Sequence, residues 1–415
     1  MSPTIGDNIA QRRRQTGQTQ EQLAEAAQVS VETIRKLEQN ERTTARMATL
    51  NRIARALRVP TSTLIGNAAE SAARREPDHD QVALLEVRRA LTPARGLRGV
   101  VVGGPAVEPP TLDGVRARIR AIDRVYHADD YAATLAGLPA LLAEARSAVD
   151  VTSGAEQAAA YELLAQAYQV AGTALIQLRT FDLAYRALSL ALDAADASGN
   201  ELVGASAVTT MCWLLLRQGR FAEAEQLAVT TADAIEPRFS RAEPAQFSSW
   251  GWLLLRASAA AVRDNRDDDA QTMLDAAAAA AVRIGDRVPE HVISPGPATI
   301  GAFCHTTVEM KRVESAVIAG DVGRALALAE RVPPSDRPTS NNRNRHRLDV
   351  AWAHAQAGQH AEATEVLLDV REHAPAWLRH QRFARDIVGT LAASRRRAMS
   401  RELAELADLV GADAN

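Results

Sequence analysis

The chain has 415 residues, 48 Lys+Arg against 51 Asp+Glu for a formal net charge of −3, 47% apolar residues and only 4% aromatics. That length asks for more than one hydrophobic core. Two cysteines exclude a disulfide framework; with no signal peptide and no apolar run of about 18 residues, the expected setting is the cytoplasm, away from any membrane. HExxH, P-loop, Gly-x-Ser-x-Gly and Cys-x-x-Cys patterns are all missing from the sequence, so no enzyme chemistry, metal site or cofactor is expected.

In chain order, Ile5 to Gln15 reads as a first helix, with Ile5 and Ile9 apolar, the run Arg12, Arg13, Arg14, and Gly17 as its stop. The stretch TQEQLAEAAQVSVETIRKLE, from Thr19 to Glu38, follows. Thr19 with Gln22 makes a capping box, so a helix starts near Gln20. Leu23, Ala24 and Ala27 share a face, and Ala24 is small where a second helix must cross closely. Val29 plugs the corner and Ser30 caps a helix that turns Ile34 and Leu37 inward, leaving Val31, Glu32, Thr33, Arg35 and Lys36 outward or partly so. A helix from Thr49 to Leu57 and a short turn from Pro60 to Leu64 close the bundle at Gly66.

With Gln20, Leu23, Ala24, Val29, Ile34, Leu37 and Glu38 in pattern, residues 5–66 resemble the Xre, or phage Cro/C1-repressor, family of five-helix DNA-binding domains. One departure is Gln28, at the turn position the family usually fills with Gly, where a left-handed residue costs on the order of 1 kcal/mol. The resemblance implies that Ser30, Val31, Glu32, Thr33 and Lys36 approach base edges. Val31 would meet a thymine methyl, Glu32 a cytosine amino group and Lys36 guanine O6 or N7. It implies backbone or minor-groove roles for Gln20, Arg35, Asn40, Arg42, Thr43 and Arg46. Residues 1–66 hold ten basic and six acidic residues, a charge of +4, and the rest of the chain carries −7: a cationic head on an acidic body. With only two lysines in the chain, Lys36 and Lys311, the preference for Arg is chain-wide and says nothing about nucleic acid.

Residues 67–111 read as a linker with a helical piece from His79 to Ala90, followed by glycines and prolines, Gly99 to Pro110, that forbid a continuous helix. From residue 112 the composition is helical and one plan recurs: a polar or Gly-containing turn, then a small residue at Ala184, Ala224, Ala270, Ala325 and Ala363. The spacings of 40, 46, 55 and 38 residues approach the period of a helix-turn-helix solenoid. An earlier pair runs from Val115 through Tyr126 and back through Leu138 to Ala148. Gly219 with Ala224 and Gly358 with Ala363 resemble the tetratricopeptide repeat, so residues 112–410 form the expected sensor and dimerisation domain, and 411–415 a tail.

The expected fold class is therefore all-α, a lambda-repressor-like five-helix domain followed by a tetratricopeptide-like α-solenoid. An Xre-type head on such a body resembles the peptide-pheromone receptors used in quorum sensing by Gram-positive bacteria, and the Ala/Arg-rich regulators of actinobacteria. The resemblance implies a transcriptional regulator, homodimeric on double-stranded DNA, whose groove takes an oligopeptide or small-molecule ligand. Groove candidates are Asn341, Asn342, Asn344, Arg345 and Arg347, because Asn both donates to and accepts from a peptide unit, with Tyr168, Trp213 and His305 as further choices. Aromatics at helical spacing are assigned to packing first, and the isolated Cys212 and Cys304 to buried thiols. The alternative is a protein-interaction scaffold or antitoxin-type partner whose repeats bind another protein.

Overall fold

The computed structural model describes residues 5–40, 45, 47–65, 81–94, 110–285, 302–333, 335, 338–394 and 400–412. The head comprises α1 (Ile5–Gln15), α2 (Gln20–Ala26), α3 (Val31–Glu38), α4 (Met47–Ala56) and α5 (Thr61–Ile65). Its core is Ile9, Leu23, Ala24, Ile34, Leu37, Leu50, Ile53, Leu57 and Leu64, all buried, which are the apolar positions of the sequence pattern. The fourth helix starts two residues ahead of the expected Thr49, and Asn8 Nδ2 donates to the Leu64 carbonyl at 3.1 Å, tying α1 to α5.

In the linker region, α6 (Gln81–Leu91) buries Val87 and Leu91 against the body, and Arg146 donates to the Ala90 carbonyl at its end. Residues 99–109 of the expected glycine- and proline-rich stretch and the Arg42, Thr43 and Arg46 positions lie outside the described residues.

The body is a stack of helix pairs: α7 (Leu112–His127) with α8 (Tyr131–Val151), α9 (Gly154–Gln177) with α10 (Phe181–Ser198), α11 (Glu201–Gln218) with α12 (Phe221–Ala234), α13 (Pro244–Arg263) with α14 (Asp267–Ile284), α15 (His305–Ala319) with α16 (Val322–Ala329), and α17 (Ser340–Gln356) with α18 (His360–His373). Three further helices, α19 (Pro375–Arg379), α20 (Arg382–Ser394) and α21 (Arg401–Val410), follow the last pair. The first helices of successive pairs pack on one another and make a continuous inner layer. Among the described residues no helix is long and apolar enough to cross a membrane.

One turn joins the two helices of every pair. Its left-handed residue is Asp129, Arg179, Gly219, Asn265, Gly320 or Gly358, with φ between 60° and 79°. Each of these donates its N–H three residues back, and the next residue donates five back: Gly219 to Leu216 and Arg220 to Leu215 at 3.2 and 2.9 Å, Asn265 to Val262 and Arg266 to Ala261 at 3.3 and 2.9 Å. Two carbonyls left open by the ending helix are thereby satisfied. Five residues after each left-handed residue stands a side chain with no exposed surface: Thr134, Ala184, Ala224, Ala270, Ala325 and Ala363. The alanines were legible as the recurring small residue; Thr134, in the first pair, extends the series by one member. Its hydroxyl is satisfied by the Asp130 carbonyl at 2.7 Å.

The stack curls until its sixth pair meets its first. Asn341 Nδ2 donates to the Tyr126 hydroxyl at 3.0 Å, Ser340 Oγ to the His127 carbonyl at 3.0 Å, and the rings of Tyr131 and His380 meet edge-on at 5.3 Å. Both cysteines are buried, and burial pushes the Cys212 thiol up to about 12.

The turn has a direct stability signature. Gly219 is expected to resist substitution: Gly219→Ala should cost about 1 kcal/mol in urea unfolding, whereas Gln28→Gly, at the same backbone conformation in the head (φ 52°), should leave stability unchanged or raise it by up to about 1 kcal/mol.

Candidate nucleic-acid interface

The interface begins with local hydrogen bonding. Thr19 Oγ1 accepts from the Gln22 N–H at 3.2 Å while Gln22 Oε1 accepts from the Thr19 N–H at 2.8 Å, the reciprocal box read from the sequence. The chain then reverses at Gln28, in the left-handed region, and the Val29 N–H returns to the Ala24 carbonyl at 3.0 Å. Arg52 Nη1 donates to the Gln28 carbonyl at 3.1 Å, so α4 clamps the corner from outside. Ser30 Oγ caps α3 by accepting from the Thr33 N–H at 3.2 Å, and the two hydroxyls lie 2.8 Å apart.

Helix α3 presents two faces. Ile34 and Leu37 are fully buried, whereas Val31 is 40% exposed and the side chains of Glu32, Arg35 and Lys36 are each about half exposed. A large apolar residue beside two cations on an open helix face matches the geometry for entering a DNA major groove. The Glu32 carboxylate sits between Arg35 (2.8 Å) and Lys36 (3.3 Å), and the Arg35 hydrogen bond, then Lys36, holds its carboxyl below the ordinary range. In the free protein Glu32 therefore restrains both cations.

The backbone-positioning candidates divide. Gln20 Nε2 donates to Glu38 Oε2 at 2.8 Å, and Arg13 grips the same carboxylate with two bonds of 2.7 Å while its Nη1 donates to the Gln18 carbonyl at 2.9 Å. This group joins α1, α2 and α3 and fixes the angle at which α3 is offered. Burial alone would push the Glu38 carboxyl up, but the hydrogen bonds from Arg13 and Gln20 outweigh it and bring the group below its ordinary value. Asn40 is left-handed (φ 57°), exposed, and donates to Asp7 Oδ1 at 3.3 Å. Sequence reading found Gln20 and Glu38 as pattern residues; it did not see Arg13 as their partner, because 25 residues separate it from Glu38.

The groove candidates are dispersed over the body. Asn341 takes part in the closing contact with Tyr126, and its Oδ1 is buried without a hydrogen-bond partner. Asn342 bonds to Thr339 at the start of its own helix, Asn344 is buried, and Arg347 pairs outward with Asp369 at 2.8 Å. Tyr168 accepts from Arg146 Nε at 2.8 Å on the side facing α8, and His305 is exposed at the first position of α15. Arg345 and Trp213 lie toward the inner layer: Arg345 pairs with Asp349 at 3.0 Å and stacks on Phe383, and Trp213 carries the guanidinium of Arg217 at 5.6 Å.

Removing the strut tests this reading of the head. Glu38→Gln should cost about 1–2 kcal/mol near neutral pH, the low part of the range for charged hydrogen bonds. A depressed folded pKa means stability present above the unfolded carboxyl value, about 4.3, and lost as pH falls through the folded one. The difference between wild type and Glu38→Gln in urea unfolding should thus shrink below about pH 4.

Residues 4–64 match the family model of a helix-turn-helix domain. Among curated proteins no relative matches the chain. The head, from its capping box to its exposed third helix, is a helix-turn-helix domain.

Proposed function

We propose that the chain is a sequence-specific, DNA-binding transcriptional regulator of the Xre type, acting in the cytoplasm as a homodimer, with a tetratricopeptide-like body that binds a signal and sets the spacing of two heads. The observation that carries this reading is the open face of α3, where Val31, Glu32, Arg35 and Lys36 stand exposed within a matched helix-turn-helix domain of charge +4. One head covers one half-site, so two-fold pairing on DNA supplies the second, with half-sites about one helical turn, roughly 10 bp, or a multiple apart. The six stacked pairs with their continuous inner layer support the sensor reading, because stacks of helix pairs commonly bind ligands on the face that their inner helices line. Dimerisation is assigned to the body as well, since two recognition helices need a fixed separation.

The joint between head and body supports this division. Asn265 Nδ2 donates to Thr61 Oγ1 at 3.0 Å, Arg55 donates to the Ala319 carbonyl, and Arg55 lies 3.7 Å from Asp267. The body's share comes from two neighbouring turns, α13 to α14 and α15 to α16. The joint leaves the outward side chains of α3 exposed. Its contacts are few, polar and partly exposed, and such contacts are individually weak, so a small shift between adjacent pairs is enough to redirect a head.

Two measurements test the proposal. On a fixed duplex, Lys36→Ala should weaken binding and lower the salt slope by about 1, while Glu32→Gln, which releases Arg35 and Lys36, should strengthen binding to all sequences and relax base preference. Unchanged binding by both variants would remove α3 from the interface. At the joint, Asp267→Ala with Asn265→Gly, which keeps the turn, should enlarge the radius of gyration in small-angle scattering and leave affinity for a single half-site unaltered.

A further inference from the structure

The interior of the stack collects more positive charge than it neutralises. Arg179, Arg217, Arg256, Arg263, Lys311 and Arg345 gather on or beside the inner layer, against the buried carboxylates Glu314 and Asp349; the third buried carboxylate among the described residues, Asp264 at the end of α13, lies 3.9 Å from Arg266, outside this group. Glu314 serves Arg263 at 2.5 Å and Lys311 at 2.8 Å, with Arg345 at 3.9 Å, and Asp349 serves Arg345 at 3.0 Å. Both carboxylates are thus spoken for. Arg179, Arg217 and Arg256 have no carboxylate within 4.0 Å among the described residues; each lies over an aromatic ring instead, Phe181 at 5.9 Å, Trp213 at 5.6 Å and Trp252 at 5.5 Å. Arg256 donates to the Thr209 carbonyl at 3.2 Å, and the indole N–H of Trp252, fully buried, has no acceptor.

Arg217 is the centre of the imbalance. Desolvation, then the charges of Arg345 and Arg179, bring its guanidinium down to about 10, with Arg263 adding to the repulsion. The carbonyl end of α11 offsets only part of its charge. A desolvated guanidinium beside like charges is costly unless an anion joins it. The rest of the body carries its acidic surplus elsewhere: residues 67–415 sum to −7 while this interior group sums to +4.

We propose that the interior of the stack is a binding site for a small anion, a carboxylate or phosphate group held by Arg217, a cation with no carboxylate partner among the described residues, with Trp213 as its apolar wall and the neighbouring cations in support. Guanidinium groups bind either anion through paired N–H donors. The proposal rests on the sensor reading above and names its ligand class. It also gives the signal a route: Arg263 on α13 and Lys311 and Glu314 on α15 belong to the two helices whose outgoing turns hold the head through Asn265 and Ala319. An anion that draws Arg217, Arg345 and their neighbours together shifts α13 against α15, and with them the joint.

The test is thermal unfolding of the full-length protein in 150 mM NaCl, with 1 mM pyrophosphate or 1 mM citrate added, concentrations too low for general salting effects. Either anion should raise the unfolding temperature of the wild type by about 3 °C or more. Arg217→Met, which keeps the stack on Trp213 but not the charge, should start no lower than wild type and lose at least half of the rise; Arg217→Lys should keep most of it. A larger response to pyrophosphate assigns a phosphate, a larger response to citrate a carboxylate. No rise with either anion, or the same rise in Arg217→Met as in wild type, would overturn the site. DNA binding measured on the same samples reports separately on the regulator reading, since Arg217 lies on α11 of the body and α3 belongs to the head.

Discussion

A single backbone device governs both parts of the molecule: a left-handed residue closing a helix, with two reversed hydrogen bonds that satisfy its last carbonyls. In the head it appears at Gln28 and Arg58, and in the body at the turn of each of the six pairs. In the body, because the turn fixes where the second helix begins, it also fixes which residue meets the first helix five positions later. At that point a fully buried Ala or Thr stands in all six pairs. The recurrence of the pairs, the continuity of the inner layer and the direction in which α3 leaves α2 all follow from this constraint.

Much of this was legible because the determinants are local. The capping box at Thr19 and Gln22, the cap at Ser30 and the left-handed Gln28 each involve residues within a few positions of one another, and all stand as read. The repeat plan was readable from its alanines. The turns themselves were harder to align, since Asp129, Arg179 and Asn265 occupy a conformation that Gly219, Gly320 and Gly358 announce openly. Asn and Asp tolerate that region; Arg179 holds it without such a rule, and its guanidinium over Phe181 is the contact that accompanies it.

What sequence could not supply is long-range pairing. Arg13 with Glu38, Asn341 with Tyr126 and Asn265 with Thr61 join residues 25, 215 and 204 positions apart. No periodicity marks them. The interior charge surplus was hidden for the same reason: Arg217, Arg263 and Arg345 sit on three different helices, each in an unremarkable context, and only the curl of the stack makes them neighbours. Asn341, chosen as a peptide grip, lies at the seam where the sixth pair meets the first, and its neighbour in sequence, Arg345, reaches the charged interior.

That the head reads DNA as one of a pair is the proposal on which the assigned role of the body depends. The most direct measurement is selection of bound fragments from the source genome by the purified full-length protein at a stated salt concentration, because affinity for DNA has no meaning without it. Enrichment of a pseudo-palindrome with half-sites about 10 bp apart, or a multiple of that, is the expected result. Enrichment of no sequence, in buffer and again with cell extract added, would contradict it.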